Sequence, residues 1–78
     1  MPLYEANLDT AYTKRFDYDV DGNVIYAGEA LPGALASEAK WSIRKYTYTG
    51  SNPTLIAWAG GSNQMTNIWD NRASLTYA

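Results

Sequence analysis

At 78 residues the chain has room for one domain and a small core, and six basic against eight acidic side chains leave a net charge of −2. It has neither cysteine nor histidine, which excludes a disulfide framework and removes the usual ligands of zinc. Oligomerisation or a carboxylate-bound calcium is what remains to support so small a domain.

The basic residues are dispersed. Lys14-Arg15 and Arg44-Lys45 are isolated pairs that read as solvated strand positions, and a nucleic-acid partner is not expected. The first residues lack the basic start and apolar run of a signal peptide. No uninterrupted apolar stretch approaches the ~20 residues of a membrane helix. The expectation is a soluble protein made in a cytoplasm, with no membrane partner. Three Trp, seven Tyr and one Phe in so short a chain favour β structure and contact surfaces.

Residues 1–9 show no period; Leu3, Tyr4 and Leu8 fit an extended arm, placed at residues 1–10, or a short edge strand. Residues 11–18 alternate, with Tyr12, Lys14, Phe16 and Tyr18 opposite Thr13, Arg15 and Asp17. This predicts a strand with its aromatic side inward. Asp21-Gly22 then stands between two β-like runs, the strongest short-range hairpin signal. The second run, residues 24–28, should pair antiparallel with the first. Residues 31–40 break the pattern at Pro32-Gly33 and read as a connecting loop with at most a short helical turn.

Trp41-Ser-Ile-Arg-Lys-Tyr-Thr-Tyr48 is the stretch around which the chain is organised. Trp41, Ile43, Lys45 and Thr47 alternate with Ser42, Arg44, Tyr46 and Tyr48. No Gly or Pro interrupts it, so it reads as a central strand running to about Thr49. Gly50-Ser-Asn-Pro53 is a predicted turn, with Pro53 ending regular structure. Thr54-Leu-Ile-Ala-Trp-Ala59 is apolar on both faces, the pattern of a strand covered on both. After a turn at residues 60–63, residues 65–71 and 73–77 read as strand-like halves around a turn or bulge at Asp70-Asn-Arg72. The predicted fold is all-β: a small antiparallel meander of five or six strands, barrel-like or a half-open sandwich.

Asp17-Tyr-Asp-Val-Asp-Gly-Asn23 matches the start of an EF-hand calcium loop, with Asp at positions one, three and five and Gly at six. The match fails at position twelve, where Gly28 replaces the bidentate Glu, and the flanks are strand-like. A hairpin tip is the expectation, with no metal and no cofactor. Carboxylate pairs drawn from Asp17, Asp19, Glu29 or Asp70 have nothing to isolate them. Without His or Cys the familiar nucleophile–base arrangements are missing. Gly60-Gly61 lacks the Lys and spacing of a phosphate loop. No catalytic residue is assigned, and the protein is not expected to be an enzyme. Trp41, Trp58 and Trp69 each sit in a strand-like run and are expected in the core.

The outer side of the central strand gives the candidate site. Two tyrosines and an arginine are unusual on a face that meets only water, and they are enriched at protein interfaces. Arg44, Tyr46 and Tyr48 are therefore the expected partner-contact residues. Leu55, with Ala57 and Ala59, extends the patch if the next strand pairs as a plain hairpin. The alternative is a carbohydrate-binding β module, with exposed Trp and Tyr stacking on sugar rings.

Five segments also have a family look. They are Asp19-Val-Asp-Gly-Asn-Val-Ile-Tyr-Ala-Gly28, Ala30-Leu-Pro-Gly33, Trp41-Ser-Ile-Arg-Lys45, Trp58-Ala-Gly-Gly61 and Ile68-Trp-Asp-Asn-Arg-Ala-Ser-Leu-Thr-Tyr77. Across residues 12–77 the chain resembles small uncharacterised proteins encoded among the virion structural genes of tailed bacteriophages. The C-terminal segment is the most specific part. The resemblance carries no active site. It implies a virion component of head, neck, tail or baseplate that contacts itself, as a homo-oligomer, and larger virion proteins.

Overall fold

The structure, a computed structural model, describes residues 11–78; the arm expected at residues 1–10 lies outside the described residues. Strands β1 (Thr13–Tyr18), β2 (Val24–Ala30), β3 (Ala39–Thr49) and β4 (Asn52–Trp58) are followed by a short β5 (Asn67–Ile68) and a 3-10 helix, η1 (Trp69–Ser74). The first four form an antiparallel meander in chain order, and β5 adds to β3. This is the all-β meander that alternation predicts, with five strands. β3 is its spine. It pairs with β2 through Ser42 to Lys45, with β4 through Arg44 to Thr49, and with β5 at Ala39 and Trp41.

Local chemistry fixes both hairpins. Gly22 takes φ +85° and donates its N–H to the Asp19 carbonyl (3.1 Å), while Asp19 N–H reaches the Asn23 carbonyl (2.9 Å). This is a three-residue loop in which a glycine in the left-handed region closes the turn. Asp19 Oδ1 accepts the N–H groups of Asp21 (2.9 Å) and Asn23 (3.0 Å). Those donors, Asn23 foremost, hold its carboxyl below the usual carboxylate range. Between β3 and β4, Gly50 takes φ +62° and no non-glycine residue among the described ones has positive φ, the pattern of a two-residue II′ turn. The turn is thus shorter than expected. Pro53 sits inside β4 opposite Tyr48, tolerated because β4 is an edge strand.

Each hairpin also carries one extra residue in its second strand. The partner of Asp17 is Tyr26 and that of Tyr18 is Val24, so Ile25 is skipped. The partner of Thr47 is Leu55 and that of Tyr48 is Pro53, so Thr54 is skipped. A one-residue slip exchanges the faces of everything beyond it.

The core lies on one side of the sheet. Trp41 and Ile43 are fully buried with Ala30, Ala59 and Trp69, and Tyr26, Leu75 and Tyr77 pack around them. The Trp41 and Trp69 rings meet at 6.1 Å and 46°, within the tilted geometry that aromatic pairs favour. Trp41 Nε1–H donates to the Leu35 carbonyl at 2.9 Å, which ties the 31–40 loop down. Gly28 leaves room for the second indole: a Cβ there would stand 2.7 Å from Trp69 Cε3. The C-terminal segment covers this face. Asp70 N–H donates to the Ala36 carbonyl at 3.1 Å, and Arg72 Nε reaches Asp17 Oδ2 at 3.0 Å.

Three expectations are corrected. Phe16 and Tyr18 are exposed, not inward, because the bulge at Ile25 sets Phe16 opposite Ala27 on the other face. Trp58 is half-buried, and Trp69 takes the core position beside Trp41. The strand-like halves at residues 65–77 are mostly not strand. Inserting Trp69 under the sheet turns the chain through η1, where Ser74 Oγ donates to the Asn71 carbonyl (2.9 Å). Only a bridge between Ala59 and Tyr77 remains of the last one.

Candidate contact face

The second face of the sheet is assembled by register. Lys14 stands opposite Glu29 and Phe16 opposite Ala27. Glu29 faces Ser42, and Ala27 faces Arg44. Arg44 faces Trp58, and Tyr46 faces Ile56. Paired residues share a face, so Lys14, Phe16, Glu29, Arg44, Tyr46, Ile56 and Trp58 form one surface across four strands. Tyr48 continues it by alternation along β3.

Its chemistry is a row of charges beside a patch of rings. Glu29 Oε1 lies 3.5 Å from Lys14 Nζ and 3.6 Å from an Arg44 guanidinium nitrogen. Arg44 Nε also donates to the Tyr46 hydroxyl at 3.0 Å, and its guanidinium lies over the Trp58 ring, 5.5 Å from the centroid. The Tyr48 hydroxyl donates to the Val24 carbonyl at 2.7 Å. These contacts fix the polar ends of long side chains, which lowers the ordering cost of docking. Phe16 and Ile56 remain 48% and 49% exposed. The small residues between are buried: Ala27 is hidden although it stands outside the core cluster.

Of the expected contact residues, Arg44, Tyr46 and Tyr48 come together here. Leu55 does not. Its partner is Thr47 and that of Ala57 is Lys45, which puts both on the Trp41 face. Ile56 and Trp58 take the place expected of Leu55 and Ala57, and Phe16 joins from β1. The acidic loop that begins like a calcium site is divided. Asp17 pairs with Arg72, and Asp19 caps its own turn. No group of three or more acidic side chains converges among the described residues.

On the covered face the Tyr77 hydroxyl donates to the Arg72 carbonyl at 2.7 Å. Burial first, and Tyr26 next to it, push the Tyr77 phenol up to about 12, against an opposing effect of Arg72. Comparison with protein-family models, curated proteins and solved structures finds nothing that matches this chain.

Proposed function

We propose that the chain is a non-catalytic structural or assembly subunit of a phage particle, made in the host cytoplasm and built into the virion, where it works by protein–protein contact. The observation that carries this is the second face of the sheet. It is left open by the C-terminal segment and holds half-exposed Phe16 and Ile56 beside a pre-ordered Arg44, Tyr46 and Trp58. Aromatic and arginine side chains in that arrangement are what protein interfaces enrich at their centres. The place in a virion rests on the resemblance across residues 12–77. The partner on this face is a larger virion protein, and the head, neck, tail or baseplate remains open as its position.

Purified particles test the reading. Quantitative mass spectrometry is expected to find the chain at a fixed multi-copy ratio to the structural proteins. A Phe16→Ser, Tyr46→Ser variant should fold, because both side chains are at the surface or half-buried, and should fail to be incorporated. A chain missing from purified particles would refute the place in a virion. Incorporation of the double variant at the parental ratio would refute the contact face.

A further inference from the structure

The two edges of the sheet are not alike. β1 guards its edge with Lys14, Arg15 and Asp17, the charges that discourage strands from pairing. β4 has no charge, and none occurs between Lys45 and Asp70. Past Pro53 and the extra residue at Thr54 its residues Leu55-Ile-Ala-Trp58 are all apolar, yet Leu55 on one face and Ile56 on the other are 59% and 49% exposed.

The backbone of β4 points to what would cover them. Ala59 N–H donates to Ile43 in β3, whereas the N–H and C=O of Trp58 turn outward and pair with Ala78 at 3.0 Å each. Antiparallel pairing alternates these directions, so the N–H and C=O of Ile56 also face outward. Among the described residues nothing pairs with them. An open backbone edge flanked by apolar side chains on both faces takes a β-strand.

We infer that the outer edge of β4 pairs antiparallel with β4 of a second copy, about a two-fold axis. An edge that pairs with its own copy closes at two copies, since the same surface serves both partners. Ala78 already occupies the slot beside Trp58, which leaves residues 52–57 free. A two-fold axis through an antiparallel pair sets one residue opposite its own copy. Of the two residues at the middle of that run Thr54 is the bulged one, so the two Leu55 side chains meet at the axis. The uncharged stretch on either side brings no like charges together. This goes beyond the reading of the open face: the dimer meets that face only at its Ile56 margin and leaves Phe16, Arg44 and Tyr46 free.

Light scattering of the full chain over a concentration series is expected to give twice the 8.6 kDa chain mass. Leu55→Lys puts two ammonium groups at the axis and leaves the open face untouched. It should raise the dimer dissociation constant by about tenfold or more, with an unchanged far-UV spectrum. Ile56→Pro removes an outward N–H and spares the β3 ladder, and should act alike; if it unfolds the chain, Leu55→Lys decides. A parental chain that stays monomeric overturns the inference. A monomer that dimerises only after residues 1–10 are deleted also overturns it, by giving the edge to that segment. A dimer that Leu55→Lys leaves intact and Phe16→Ser breaks overturns it too, by moving the contact to the open face. Loss of incorporation into particles with the dimer intact bears on the proposed function alone.

Discussion

Replacing Gly28 with alanine probes the packing on which the fold depends. The new methyl would lie 2.7 and 2.8 Å from Cε3 and Cζ3 of Trp69 and 3.2 Å from Cε3 of Trp41. Carbon atoms in good contact sit about 3.5–4.0 Å apart. Both indoles are at least nineteen-twentieths buried, so neither ring can swing into water to make room. Overpacking of this kind costs about 1–3 kcal/mol. Alanine recovers about 0.4–1 kcal/mol by restricting the unfolded chain, which offsets part of the loss without reversing it. The net loss is about 1–2 kcal/mol, and for a domain of this size that lowers the melting temperature by about 5–15 °C. Thermal melts followed by tryptophan fluorescence would measure it. In a Gly28→Ala, Trp69→Leu pair the two shortest contacts of the methyl are gone and that with Trp41 at 3.2 Å remains, so the two changes should cost less together than the sum of each alone. A Gly28→Ala chain that melts at or above the parental temperature would refute this account of the core.

Two further outcomes follow from burial and from titration. Trp41→Ala should cost roughly 3–5 kcal/mol, the usual loss for a buried large ring, whereas Trp58→Ala should cost clearly less because its ring is half-buried; chemical denaturation of the two variants compares them directly. The raised Tyr77 phenol favours the neutral form in the fold, so its contribution to stability is complete below pH 10 and is lost as the pH climbs toward about 12. A Tyr77→Phe chain should lose about 1 kcal/mol at neutral pH with its hydrogen bond to Arg72. It should also show a flatter fall in melting temperature across the alkaline window, and an unchanged slope would count against the assignment.

The strands were legible because their signals are local. Asp21-Gly22 and Gly50-Ser51 mark turns that need positive φ, and β3 alternates without interruption for a length no helix pattern matches. The C-terminal quarter was less legible for the opposite reason. Ala73 to Tyr77 alternates like a strand, but η1 takes its first residues and only its end reaches a strand, where Tyr77 bridges Ala59. What positions it is tertiary: Trp69 seated on Gly28, Arg72 on Asp17, Tyr77 against Tyr26 at 5.7 Å. None of those contacts leaves a periodic trace in the sequence. In the sequence Gly28 ends a β-like run and breaks a calcium loop, and its space-making role is visible only with Trp69 in place.

The contact face failed to be fully legible for a single physical reason, and it acted twice. In an unbulged β3–β4 hairpin closed at Thr49 and Asn52, Tyr46 would stand opposite Leu55, and Leu55 would extend the patch as expected. The extra residue at Thr54 moves Ile56 into that position and sends Leu55 to the other side. In an unbulged β1–β2 hairpin, Phe16 would stand opposite Tyr26 and join the core face. The extra residue at Ile25 sets it opposite Ala27 instead. A bulge of this kind has no strong sequence signature, because both β-branched residues involved suit a regular strand equally well. Alternation along a single strand therefore fixed which residues share a side, and only the pairing fixed which side is covered. That is why Arg44, Tyr46 and Tyr48 stayed together while their neighbours changed. It is also why both bulges matter to the site: together they bring Phe16, Ile56 and Trp58 onto the face that η1 leaves open.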